Sequence, residues 1–209
     1  MSRPDDARSE ILARIRTALA DRPDPAPAER TYRTSVPADV DRFADRLRDY
    51  KATVHHCAPE AVAATVAGIL PAQGRIVIPG GWLDLPARDV ATDTPQLSPA
   101  DLDAAAAVVT RCAVGIAETG TIVLDAGDAQ GRRALTLVPD VHVVVIDEAQ
   151  VVGLVPEALT RLDPTRPLTW ISGPSATSDI ELQRVEGVHG PRTLHVVLVG
   201  CRATSGGRR

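Results

Sequence analysis

The chain has 209 residues, enough for one sizeable α/β domain and too few for two full ones. Its net charge is −4, with both signs interspersed, and it holds only one Phe, two Tyr and two Trp. Without a basic stripe or a platform of stacking aromatics, nucleic-acid binding is not expected. Core volume has to come from Val, Leu, Ile and Ala, and the terminal Arg208-Arg209 pair reads as a solvated tail.

The opening Ser2-Arg3-Pro4-Asp5-Asp6 is polar, with no apolar h-region after it. No run approaches the roughly 20 apolar residues of a membrane span. The expectation is a soluble, cytoplasmic protein. Residues 5–20 then place Ile11, Ile15 and Leu19 at four-residue spacing among charges, which predicts an amphipathic helix. Arg22-Pro23-Asp24-Pro25-Ala26-Pro27 ends it. Segment 21–37 reads as an extended linker, and the first helix as an arm whose apolar stripe seeks cover on its own domain or on a second subunit. The organisation expected is an arm and linker over 1–37, an α/β domain over 38–202 and a polar tail over 203–209.

A second helix is predicted over 38–50, with Val40, Phe43, Leu47 and Tyr50 on one face. A strand over 52–57, a helix over 59–70 and a buried-type strand over 75–79 follow. A helix over 98–106 starts with Ser98 as N-cap and Asp101 three residues on, a capping-box pattern. Residues 108–117 and 121–124 read as strands flanking a Glu-Thr-Gly turn. Val141–Ile146 is a continuous β-branched run of the kind a parallel strand buried on both faces requires. A helix over 149–162, interrupted or restarted near Pro156, leads to a strand over 168–172, a helix opening near Ser178, and a last strand over 194–199. Strands alternating with helices predict an α/β fold with a mainly parallel sheet flanked by helices.

Three stretches have the residue types for a ligand site. Gly80-Gly81 follows a buried strand, where free N–H groups can cradle an anion or the turn simply needs positive φ. Glu118-Thr119-Gly120-Thr121 puts a carboxylate and hydroxyls at a strand end. Either Glu118 points into a cleft as a general base or nucleophile, or it is a solvated residue of a hairpin with Gly120 left-handed. Ser172-Gly173-Pro174-Ser175 leads through Thr177 to Asp179 and Glu181. There a helix N-terminus binds an anion, or is capped by its own side chains. In open α/β sheets, ligands meet the carboxyl ends of strands.

His189 lies in a loop beside this last stretch, with a surface role or a site role open to it, whereas His142 and His195 sit in apolar runs and read as structural. Cys57, Cys112 and Cys201 are odd in number and far apart, which argues against a disulfide framework and against a self-contained zinc or iron–sulfur site. There is neither a G-x-G-x-x-G nor a Walker lysine. No metal site and no cofactor of its own are expected.

Taken in order, Gly115-Ile116-Ala117-Glu118-Thr119-Gly120-Thr121, Leu135-Thr136-Leu137-Val138-Pro139, His142-Val143-Val144-Val145, Ser172-Gly173-Pro174-Ser175, Asp179-Ile180-Glu181 and Gly187-Val188-His189-Gly190-Pro191 resemble the lactate-utilisation (LUD) family, in its LutC/YkgG branch, over about residues 40–200. The resemblance implies a fold like that of ribose-5-phosphate isomerase, glucosamine-6-phosphate deaminase and the CoA transferases (NagB/RpiA/CoA transferase-like). It implies a part in oxidising L-lactate to pyruvate beside iron–sulfur-containing partner subunits, this chain being the cluster-free member. In the related CoA transferases a glutamate near a glycine is the nucleophile, a character Glu118-Thr119-Gly120 shares. The expected ligand is a small anion at the Gly80, Glu118 and Ser172 loops, with homo-oligomerisation as a further possibility. The alternative is a stand-alone enzyme of the isomerase or CoA-transferase kind using Glu118.

Overall fold

The computed structural model describes residues 4–21, 31–177, 185–186 and 190–200. The helix expected near Ser178, with Asp179 and Glu181, lies outside the described residues, as do His189, Cys201, the Pro-rich stretch 22–30 and the tail. The chain divides into two compact units, residues 1–32 and 33–209. The first carries α1 (Pro4–Ala18), where Arg14 pairs with Glu10 at 2.7 Å and Ile11, Ile15 and Leu19 are exposed. No described helix is long and apolar enough to cross a membrane.

The second unit begins with α2 (Val40–Asp49), β1 (Thr53–Cys57), α3 (Val62–Ile69), β2 (Ile76–Val77), β3 (Val90–Ala91), α4 (Pro99–Asp103) and β4 (Ala107–Arg111). Then come β5 (Val114–Ile116), β6 (Thr121–Leu124), β7 (Val141–Asp147), β8 (Val151–Val152) and α5 (Val155–Arg161). Last are β9 (Thr169–Ile171), β10 (Ala176–Thr177), β11 (Val185–Glu186) and β12 (Thr193–Val199). Six strands form one sheet in the order β1-β12-β7-β4-β2-β3, every pairing parallel. Four form a second sheet, β8-β5-β6-β9, in which only β5–β8 is parallel. The protein is therefore α/β with a mostly parallel sheet flanked by helices.

The β-branched run of β7 is buried on both faces, as its composition requires. Val144 and Ile146 pack with Phe43 and Leu47 of α2, while Val143 and Val145 pack with Val66 of α3. Strand β12 lies between β1 and β7 and repeats the division, Val196 and Leu198 toward α2, Val197 and Val199 toward α3. Parallel strands with opposite faces covered by different helices set the thickness of the domain.

Three elements differ from the sequence reading. The single strand expected over 108–117 is two strands in two sheets, broken at Cys112-Ala113. The apolar run continues through the break, so periodicity does not reveal it. The carbonyls that the break takes out of the strand ladder are met from elsewhere: Gln150 Nε2 donates to Cys112 O at 2.8 Å and to Ala113 O at 3.4 Å, and Gln150 Oε1 accepts from Asp147 N at 2.9 Å. The helix expected over 149–162 starts only at Val155, because Val151-Val152 takes the edge of the second sheet beside Gly115 and Ile116. The helix expected over 98–106 stops at Asp103, although its capping box forms, with Ser98 N donating to Asp101 Oδ2 at 3.0 Å. Within the expected linker, Ser35 Oγ and Val36 N donate to the Glu157 carboxylate at 3.0 and 3.3 Å, which pins that segment to the start of α5.

Gln150 closes the junction between the two sheets, so Gln150→Ala leaves two carbonyls and an N–H without their partner. The expected loss is about 1–2 kcal/mol of unfolding free energy in a urea titration, with the far-UV circular dichroism of the folded state unchanged.

Candidate functional site

Ile116 of β5 pairs with Thr121 of β6, leaving Ala117–Gly120 as a hairpin turn. Gly120 has φ +62°, and a side chain there would stand 2.6 Å from Arg46 Cβ and 2.9 Å from the Arg46 carbonyl carbon. Gly173, with φ +85°, would place one 2.5 Å from Tyr50 O. Both turns thus press their backbones onto the end of α2, where a left-handed residue without Cβ is required.

This packing brings the two polar stretches together. Ile122 pairs with Ile171, so the start of β6 lies beside the end of β9. The buried Thr121 Oγ1 lies 2.7 Å from Thr119 Oγ1 and 2.8 Å from Ser172 Oγ. Glu118 turns another way. It is partly exposed, its carboxylate pairs with Arg33 at 2.5 Å, and its N–H donates to Gly153 O at 3.1 Å.

Beyond Ser172 lies a cavity of about 220 Å³. Ser172, Gly173, Ser175, Arg133, Thr136 and His142 line it, and Trp170, Ile171, Leu194 and two prolines supply apolar surface. His142 and Leu194 are the second residues of β7 and β12, so the cavity opens at the amino ends of these parallel strands and at the carboxyl end of β9. The sequence placed the ligand at carboxyl ends throughout. Glu118, Thr119, Gly120 and Thr121 do not line the cavity, nor do Gly80 and Gly81. The last two follow β2 with φ +70° and +61°, and Gly81 N is already bonded to Ile78 O at 3.1 Å. Trp82 beside them has the Arg111 guanidinium 5.1 Å from its ring centre. Thr177 belongs to β10, opposite Val185.

The cavity's polar side was not assigned from sequence. A short 3₁₀ turn, Arg133–Thr136, presents it, and Arg132 anchors that turn. Arg132 grips Asp93 with two bonds at 2.7 and 3.1 Å and donates to Leu97 O at 2.6 Å. Burial alone would raise the Asp93 pKa, but the bonds from Arg132 and Leu97 and the Arg132 charge hold it below the ordinary carboxylate value. Arg133 Nη1 donates to Thr136 Oγ1 at 3.1 Å, and among the described residues no carboxylate forms an ion pair with Arg133. His142 is fully buried, with Nε2 2.8 Å from Thr110 Oγ1. Burial, with the Arg133 charge behind it, lowers its pKa to about 3, so the imidazole at the cavity is neutral. Only the adjacent Arg132-Arg133 pair, just before the Leu135-Thr136 motif, offered a sequence signal for this wall.

Among the described residues, the cavity lining carries one guanidinium, several hydroxyls, a neutral imidazole and apolar surface. This suits a small molecule with one anionic end and a short hydrocarbon body. The fold is that of an α/β protein with one mostly parallel sheet, and the cavity lies where that sheet meets β9. The chain belongs to the LUD domain family, whose model matches residues 82–199. It is 45% identical over 210 residues to "Lactate utilization protein C" of Deinococcus radiodurans, covering 93% of this chain and 96% of that protein. It is 30% identical over 96 residues to "Uncharacterized protein YkgG" of Escherichia coli K12, covering 42% of this chain and 41% of that one. A solved structure, titled as a DUF162 family protein from Deinococcus radiodurans at 1.70 Å resolution, superposes with a TM-score of 0.66 at 40% identity, covering 77% of this chain and 96% of that chain.

Two outcomes follow from the site's geometry. Gly120→Ala forces a Cβ onto the α2 backbone in a left-handed conformation and is expected to cost about 2–4 kcal/mol, read by urea denaturation. His142 takes a proton near its ordinary value of 6.5 when unfolded and only near 3 when folded. The unfolded state binds the extra proton between these values, so stability is full above pH 6.5 and falls as pH drops toward 3. The expected slope from His142 approaches about 1.4 kcal/mol per pH unit, and urea midpoints of His142→Gln should fall less steeply from pH 6 to pH 4. His55 and His195, 3.2 Å apart and lowered first by burial, add to the wild-type slope and remain in the variant.

Proposed function

We propose that this protein is a component of a lactate-utilisation system and that its cavity binds a small carboxylate. The relatives' names support the first part. The observation that carries the second is Arg133, which lines the cavity without a carboxylate partner among the described residues, is hydrogen-bonded to Thr136 and shares the lining with Ser172 and Ser175. A guanidinium so placed recognises a carboxylate through charge and paired N–H donors. The finer reading is participation in oxidising L-lactate to pyruvate in the cytoplasm, with iron–sulfur-containing partner subunits accepting the electrons. In that reading α1, with its exposed Ile11, Ile15 and Leu19, is the docking arm for a partner or a second copy, followed by a linker to residue 37 and a LUD-type domain over 38–202.

The stand-alone enzyme with Glu118 as base or nucleophile has less support. Glu118 is held by Arg33 and stands apart from the cavity lining. Glu118→Gln separates the readings: the component reading expects lactate binding to be unchanged, and loss of an acyl-CoA or sugar-phosphate turnover would favour the other.

The direct test is titration of the purified chain with L-lactate and pyruvate by calorimetry or ligand-observed NMR. Arg133→Met is expected to weaken binding about tenfold or more, the scale of losing a charged hydrogen bond. Equal affinity in Arg133→Met would refute the cavity as the carboxylate site.

A further inference from the structure

Thr119 and Thr121 do not line the cavity, but a chain of hydroxyls joins them to Ser172, which does. Thr121 is buried, and its oxygen lies 2.7 Å from one hydroxyl and 2.8 Å from the other. A hydroxyl has one proton and two lone pairs, so Thr121 donates to one neighbour and accepts from the other. Ser172 stands at the exposed end, on the cavity. When its proton points into the cavity, its oxygen accepts from Thr121, which in turn accepts from Thr119. All three O–H dipoles then point the same way, and each bond polarises the next.

We infer that Thr121 is a positioning residue: it donates to Ser172 when Ser172 donates into the cavity, and so strengthens the contact of that hydroxyl with an anionic ligand. This rests on the carboxylate-site reading above. A ligand whose group beside Ser172 is an acceptor with full negative charge gains from the aligned chain, and a neutral amide of the same shape gains less. Thr121→Val keeps the β-branched shape in β6, removes the link, and leaves Ser172 without its internal donor.

The test compares L-lactate with its neutral analogue lactamide, titrated into the wild type, Thr121→Val, Thr121→Ser and Thr119→Val, with thermal melts to verify folding. Expected is a loss of lactate affinity of about 5- to 10-fold in Thr121→Val with lactamide changed less than about 2-fold, and recovery in Thr121→Ser. Thr119→Val cuts the chain at its partly exposed head and leaves the buried link in place. It should reduce the lactate preference by about 2- to 5-fold, which keeps the test decisive should Thr121→Val not fold. Equal loss for both ligands, or no change in the lactate-to-lactamide ratio in Thr121→Val and Thr119→Val, overturns the inference. If Arg133→Met weakens lactate while the threonine variants keep the wild-type ratio, the carboxylate site stands and the relay falls. If the wild type binds no carboxylate, both fall together.

Discussion

The backbone of α2 from Arg46 to Tyr50 leaves no room for a side chain at Gly120 or at Gly173. These two close approaches fix the relation between the β5–β6 hairpin and the end of β9. Because β6 pairs with β9 in a set register, the turn residues and Ser172 cannot drift apart. Hydroxyls that lie 51 residues apart in sequence meet at 2.8 Å as a consequence. The glycines in the two motifs thus act by permitting packing, and the polar residues beside them inherit their positions from it.

A second constraint supplies the other wall. Strand β7 is buried on both faces, so its one polar interior residue, His142, must find a partner, which Thr110 provides. Burial keeps that imidazole uncharged, and the Arg132–Asp93 clamp fixes the turn that carries Arg133 and Thr136. The cavity therefore lies between a rigid parallel sheet and a hairpin sheet. Its charge comes from Arg133, on a turn that the neighbouring Arg132 anchors, and among the described residues no carboxylate pairs with Arg133.

The order of elements was legible in the sequence because β7 is β-branched throughout, Ser98 and Asp101 carry cap chemistry, and prolines bound α1 and α5. The break at Cys112-Ala113 was not, since both sides are apolar and the group that satisfies it, Gln150, is 38 residues away. The edge strand Val151-Val152 was hidden because two residues carry no period. In the site, Ser172, Gly173 and Ser175 were legible and do line the cavity. Glu118 looked like its centre because a strand-end carboxylate is a general signal, yet only the fold shows Arg33 meeting it. Arg133 escaped notice because an arginine pair has no distinctive spacing, and His142, in an apolar run, read as structural.

A crystal structure of the protein grown with L-lactate would show where the ligand sits. The predicted result is carboxylate density between the Arg133 guanidinium and the Ser172 hydroxyl, at the amino ends of β7 and β12. Density at the Glu118 turn or over Gly80-Gly81, with the cavity holding only water, would contradict it.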